Sequence, residues 1–282
     1  MTIDAHQHFW RYDSTEYGWI DEEMSSIRRD FLPRDLDAEL DAAGIDASVA
    51  VQARQSLEET RWLLGLARDS RRIAGVVGWA PLADPEGEGA IRVLARDPLL
   101  LGLRHVLQGE ADPRYALSDT FGRNLRIAAD EGLAYDILIF ERQLPEAIEL
   151  VDRHPQMRFV LDHVAKPRIR EGLLSPWREV LSELGSRPNV WCKLSGMVTE
   201  ADYHNWTEDG LAPYFEGALR AFGPKRLLFG SDWPVCTVAC AYGRWKAIVE
   251  GFAAGLGEGA REAIMGGNAR EAYGVGLGRG RT

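Results

Sequence analysis

Cysteine is scarce in this chain: three residues among 282, Cys192, Cys236 and Cys240, an odd number with no C-x-x-C pair. A disulfide framework is not expected. Cys236 and Cys240 are close enough to share an ion on a helix, but with no second pair they read as ordinary buried thiols. No apolar run approaches the roughly eighteen residues of a membrane helix, and no basic region leads into an apolar stretch with a cleavage site. The expected location is the cytoplasm, with no membrane partner. Basic residues are outnumbered, 33 against 43 acidic ones for a formal charge of -10. With no basic stripe, that balance argues against nucleic acid and anionic membranes as partners. Also missing are the G-x-S-x-G elbow that a serine hydrolase of the α/β-hydrolase kind needs and any glycine-rich phosphate cradle. There is no solenoid repeat and no low-complexity tract.

What is present is ordinary for a soluble protein with a sizeable core: 45% apolar and 27% charged residues. Eight short runs rich in Val, Ile and Leu recur at 2–6, 47–53, 73–80, 100–107, 133–140, 158–164, 190–194 and 226–230. Most are nearly continuous rather than alternating, as parallel strands covered on both faces should be. Helical spacing fills the gaps, as in the stretches from Leu57, Glu146 and Gly217. Eight alternations of strand and helix with right-handed crossovers predict an α/β fold, a (β/α)8 TIM barrel. A single domain is expected over 1–275, with a flexible tail at 276–282. The segment 9–33 after the first strand is long for a connection and carries Trp10, Tyr12, Tyr17 and Trp19, so it should fold over the barrel mouth. Residues 261–273 read as an extra C-terminal helix. Ser56 and Glu59 read as a capping box that starts a helix.

In such barrels the reactive groups gather at the C-terminal ends of the strands. His6 and His8 end the first run, and their spacing of two projects both from one face, roughly 7 Å apart at the backbone. Arg104 and His105 sit late in the fourth run, His163 ends the sixth, Lys193 is late in the seventh, and Asp232 follows the eighth. His6, His8, His163 and Asp232 form a set of three imidazoles and one carboxylate suited to zinc or another first-row divalent ion. Arg104, His105 and Lys193 are candidates for holding substrate or a developing oxyanion. Strict alternation lets only one of Arg104 and His105 face the barrel interior. Trp10 and Trp233 are candidate stacking faces for a sugar, against the alternative of wall packing, which applies equally to Trp19, Trp79 and Trp206. His154 precedes a strand and reads as structural. His204, in the loop after the seventh run, is a weaker candidate for the mouth.

Together the segments I-D-A-H-Q-H-F-W, G-L-R-H, L-D-H-V-A-K-P and L-F-G-S-D-W-P resemble the amidohydrolase superfamily, in its branch of sugar-acid lactonases, from the first strand to N-A-R-E-A-Y at 268–273. The resemblance implies a barrel with one divalent metal ion, zinc first, or in some relatives none. The substrate would be a small sugar lactone, an aldonolactone such as fuconolactone or rhamnonolactone. Carried over by position, His6 and His8 match the first-strand ligands, His163 the histidine after strand six, and Asp232 the aspartate after strand eight. The bridging lysine or glutamate of binuclear members is missing from the ends of strands four and five, so one ion is expected rather than two. Asp232 and His163 would be catalytic, with Asp232 taking a proton from water and returning it to the leaving ring oxygen. A metal-dependent decarboxylase would use nearly the same ligands. A glycosidase would need two facing carboxylates, for which only Asp232 and Asp136 qualify. A non-catalytic sugar-binding barrel would have no use for His6, His8 and Asp232. The oligomeric state stays open, a homodimer being one option.

Overall fold

The eight apolar runs become eight strands: β1 (Ile3–Gln7), β2 (Ala47–Val51), β3 (Ile73–Gly78), β4 (Leu100–His105), β5 (Ala134–Ile137), β6 (Arg158–Leu161), β7 (Val190–Leu194) and β8 (Leu227–Phe229). In this computed structural model, which describes residues 1–276, they form one sheet in chain order, each pairing parallel to the next. A helix follows every strand: α1 (Pro33–Ala43), α2 (Leu57–Asp69), α3 (Gly87–Leu94), α4 (Asp119–Asp130), α5 (Leu144–Arg153), α6 (Trp177–Gly185), α7 (Glu208–Phe222) and α8 (Tyr242–Gly255). The result is a single-domain (β/α)8 TIM barrel. Its seam is closed by the chain beyond β8. Asp232 N–H donates to the His6 carbonyl (2.8 Å) and His8 N–H to the Trp233 carbonyl (2.7 Å), so the last strand end is tied to the first. No described helix is long and apolar enough to cross a membrane.

The sheet has three register shifts that alternation alone does not reveal, and two of them, in β1 and β4, aim residues of the mouth. In β1, Asp4 pairs with Ser48 but Gln7 with Ala50, three steps against two. The extra residue lets Ala5, which packs inside the barrel with Val49 and Val51, be followed directly by an inward His6. Asp4 Oδ1 accepts the His6 N–H at 3.1 Å across the bulge. In β4, Leu100 pairs with Val76 and Gly102 with Val77. The phase of the strand therefore resets between inward Leu101 and Arg104. Bulges re-aim side chains in this way next to active sites.

The C-terminal segment differs from the single helix expected over 261–273. It is split into α9 (Glu258–Glu262) and α10 (Asn268–Tyr273) by a wide turn over Ala263–Gly267, in which Gly266 leaves helical geometry. A Cβ on Gly266 would stand 2.4 Å from the Met1 carbonyl oxygen, so the chain there lies against the start of β1. Beyond it, Ala269, Ala272, Tyr273 and Val275 join the interior cluster with Ile3, Val49 and Leu228. Arg158, which opens β6, reaches the Glu271 carbonyl at 3.4 Å. The terminal helix thus stoppers the N-terminal end of the barrel. Of the tail expected at 276–282, only Gly276 is described; the rest lies outside the described residues.

The loop after β1 folds back on itself as Trp10 and Phe31 exchange backbone hydrogen bonds of 3.0 and 2.9 Å. Ser56 caps α2 by accepting the Glu59 N–H at 3.1 Å. The second half of the expected capping box is replaced, because the Glu59 carboxylate accepts the N–H groups of Ala53 (3.1 Å) and Arg54 (2.8 Å) instead.

Candidate active site

Four side chains from three strand ends converge at the mouth. His6 Nε2 lies 3.1 Å from His8 Nε2, and Asp232 Oδ1 stands 3.6 Å from the first, 3.3 Å from the second and 4.0 Å from His163 Nε2. The far ring nitrogens are occupied. His8 Nδ1–H donates to the Val51 carbonyl (2.7 Å) and His163 Nδ1 pairs with Ser195 Oγ (2.8 Å). His6 Nδ1 lies 3.2 Å from Asp162 Oδ1. A carbonyl oxygen only accepts, so His8 carries its proton on Nδ1 and keeps a lone pair on Nε2. Burial, with Lys193 adding to it, holds His6 well below its ordinary protonation range. Burial likewise lowers His163 to about 4. Asp232 behaves oppositely: burial opposes its charge, but the facing imidazoles of His163, His8 and His6 outweigh that and keep the carboxyl below its usual range. Unprotonated His6 and His163 beside an anionic carboxylate suit a divalent metal ion. Ligand atoms around a tetrahedral zinc with bonds of about 2.0–2.1 Å stand roughly 3.3 Å apart. His6, His8 and Asp232 are spaced around that value and form one donor set, so they fit such an ion, with His163 Nε2 further out, 4.0 Å from Asp232.

The backbone is strained where these groups sit. His163, Val164, Ala165 and Lys166 run consecutively at φ of 52°, 47°, 62° and 48°, and Asp232 stands at 60°. Each left-handed non-glycine residue costs roughly 1–2 kcal/mol, and such strain concentrates at functional sites. This turn ends β6 at Leu161, earlier than the apolar run suggests, and swings His163 across towards β7. There a Cβ on Gly196 would meet His163 Nδ1 at 2.5 Å, so only glycine lets the ring pass. Gly230 does the same for His6, whose Cβ lies 2.9 Å from where its own would be.

Beneath the cluster lies a layer of buried charge. Lys193, fully buried, directs Nζ at Asp136 Oδ2 (2.5 Å), Asp162 Oδ1 (2.8 Å) and His6 Nδ1 (3.0 Å). Arg104 donates to Asp162 Oδ2 at 2.9 Å and to the Gln52 carbonyl, with Nη1 3.5 Å from His6 Nε2. Burial pushes Asp136 up to about 6 although Lys193 opposes it. Asp162 is held low: burial works against its charge, but Lys193, His6 and Arg104 outweigh it.

Of the residues singled out from sequence, His6, His8, His163 and Asp232 are brought together, with Arg104 and Lys193 directly below. His105 is not. It points out of the barrel, stacked on Tyr115 (ring centroids 4.9 Å), taking the Trp79 indole N–H on Nδ1 (3.3 Å) and donating from Nε2 to Glu110 (2.7 Å). The bulge in β4 decides which of the two consecutive residues faces inward, and it is Arg104. Trp10 and Trp233 are buried to 0% and 3% exposure and pack on Phe31 at 5.4 and 5.2 Å, so neither presents a free ring face. His154 is buried at the end of α5 and His204 is exposed in the loop after β7. All three cysteines are free and buried. Asp162 and Ser195 carry no signal of their own in the sequence, although each stands next to or just past a candidate residue, in L-D-H and K-L-S.

The fold and the mouth cluster together define a class: a (β/α)8 barrel with a candidate His/Asp metal site at the C-terminal ends of its strands. The chain belongs to the amidohydrolase family, whose model matches residues 3–275. It is 44% identical over 285 residues to L-fucono-1,5-lactonase of Burkholderia multivorans, spanning 97% of this chain and 96% of that one. It is 39% identical over 277 residues to L-fucono-1,5-lactonase of Burkholderia ambifaria, spanning 96% and 94%. An amidohydrolase of Burkholderia multivorans solved with bound zinc shares the fold at a TM-score of 0.94 and 43% identity, over 98% of this chain and 99% of that one.

Proposed function

We propose that this protein hydrolyses a sugar lactone, an aldonolactone of the fuconolactone or rhamnonolactone kind, to the open sugar acid, which places it in carbohydrate metabolism. The observation that carries the reading is Asp232: a carboxylate kept anionic 3.3 Å from His8 Nε2, beside His6 and His163, whose protonation burial disfavours. The two lactonase relatives, similar over nearly the full chain, support the substrate class and favour ester hydrolysis over the decarboxylation that the same ligands would serve.

His6, His8, His163 and Asp232 would hold one divalent ion, zinc first, which when bound lowers the pKa of a coordinated water towards neutrality and polarises an ester carbonyl. The protein's own groups do the rest. Asp232 accepts a proton from the attacking water and returns it to the ring oxygen as the lactone opens. Arg104, beside His6 Nε2, sets positive charge under the carbonyl oxygen as it becomes anionic. Lys193, with no exposure and every donor engaged, acts on His6 and the two aspartates rather than on substrate. A panel of five- and six-membered aldonolactones followed with a pH indicator tests the reading. Turnover of these, with phosphate esters, peptides and glycosides inert, is the expected result. Inert lactones together with carbon dioxide release from a carboxylated aromatic acid would put the decarboxylase reading in its place.

A further inference from the structure

Inside the barrel, one hydroxyl comes from the wrong end. Tyr273 belongs to α10, which stoppers the barrel opposite the mouth, yet its Oη donates into the buried charge layer, 2.9 and 2.8 Å from the two oxygens of Asp136. Asp136 binds Lys193, and Lys193 binds Asp162 and His6. The side chains of Asp136, Lys193, Asp162 and His6 all have no exposure, so no water can stand in for a missing partner.

The contacts at His6 Nδ1 are alternatives. If Nδ1 carries the lone pair, Lys193 donates to it and the proton sits on Nε2, facing His8 and Asp232. If Nδ1 carries the proton, Asp162 accepts it and Nε2 keeps the lone pair that the mouth cluster requires. Which state holds depends on where the donors of Lys193 are spent, and Asp136 is the group that draws them away from His6.

We propose that Tyr273 is a positioning residue for His6, acting through Asp136 and Lys193, so that the terminal helix completes the reaction centre from below. The proposal rests on the reading of His6 as part of that centre. Without the hydroxyl, the Asp136 carboxylate loses the donor that fixes both of its oxygens, its hold on Lys193 loosens, and the ammonium is free to donate to His6 Nδ1, which moves the ring proton to Nε2. Partners of metal-ligating histidines typically contribute 10- to 100-fold in affinity or activity.

Four proteins decide the matter: wild type, Tyr273→Phe, Asp136→Asn and the double variant. Tyr214→Phe serves as control, since it removes another buried tyrosine's bond, to the Leu173 carbonyl at 3.2 Å. In Tyr273→Phe we expect kcat on the best lactone to fall on the order of tenfold with KM nearly unchanged, and zinc affinity in chelator competition to weaken by a similar factor. The Tyr214→Phe control should lose comparable thermal stability and neither of these. The double variant should be no worse than Asp136→Asn alone, because the two act along one path. Tyr273→Phe matching the control in both kcat and zinc affinity, or losses that simply add, would overturn the proposal. Wild type without lactone turnover refutes the proposed function and leaves zinc affinity to decide. Wild type without zinc affinity refutes the metal reading and leaves kcat to decide. If both are missing, the proposal is overturned too.

Discussion

At the scale of single residues, Asp232 carries the most specific expectation. Its replacement by asparagine keeps the shape and suits the left-handed φ of 60°, which Asn tolerates as readily as Asp, but it removes the group that accepts a proton. General-base catalysis contributes roughly 10²- to 10⁴-fold, so turnover of Asp232→Asn should fall by at least that order while the melting temperature changes little. Metal content measured on the same samples separates a lost base from a lost ligand. Near-normal turnover would sink the mechanism. The residues of this cluster were legible in the sequence because chemistry at strand ends is conspicuous: histidines and an aspartate interrupt otherwise apolar runs. Their neighbours were less so. Trp10 and Trp233 offer stacking faces on paper, but the loop after β1 folds both rings into Phe31. Asp162 adjoins His163 and was overshadowed by it, although the acid holds Arg104 and Lys193 together.

At the scale of elements, eight strands and their order were readable from apolar runs alone, since parallel strands buried on both faces leave few other patterns. Which way a strand faces was not. Two bulges, each a single extra residue, turn His6 and Arg104 inward and His105 outward, and no local residue type announces a bulge. The start of α2 shows a second way in which a familiar motif was only half read. Glu59, 1% exposed, closes the turn after β2 with its carboxylate, and burial raises its pKa from 4.5 to about 7 although the Arg54 and Ala53 N–H groups oppose this. An unfolded chain gives up that proton near 4.5. Between about 4.5 and 7 the folded state therefore holds more protons, and this group's contribution to stability falls as pH rises through that window, levelling off above about 7. The full difference is worth about 3 kcal/mol. Glu59→Gln does not titrate, so its melting temperature relative to wild type should be distinctly more favourable at pH 8 than at pH 4.5. Asp4 and Asp136, both also raised to about 6 by burial, are present in both proteins and cancel. An equal gap at the two pH values would show that Glu59 stays ionised in the fold.

At the scale of the whole molecule, the barrel is organised around a vertical line of polar groups, from Tyr273 at one end, through Asp136, Lys193 and Asp162, to the cluster at the mouth. That line bears on how many metal ions the protein holds. Among the described residues, two sets of donors lie close enough to share an ion: His6, His8 and Asp232, and His6, Asp162 and His163. The second is already answered by the protein's own cations, with Lys193 Nζ 2.8 Å from one oxygen of Asp162 and Arg104 Nη1 2.9 Å from the other. A second divalent ion would have to displace or face two positive charges in a site closed to water, at a cost that one shared ligand does not offset. The ends of β4 and β5 contribute no bridging lysine or glutamate either. We therefore expect about one zinc per chain in protein purified without chelator. Removing it should lower both turnover and the melting temperature, because an ion bound only by the folded state stabilises that state by mass action. Elemental analysis near two ions per chain would refute the single-ion reading and require Lys193 or Arg104 to stand elsewhere. Full activity in a metal-free preparation would transfer the reaction to Asp232 and the cations beneath it, with the histidines left to orient the lactone carbonyl.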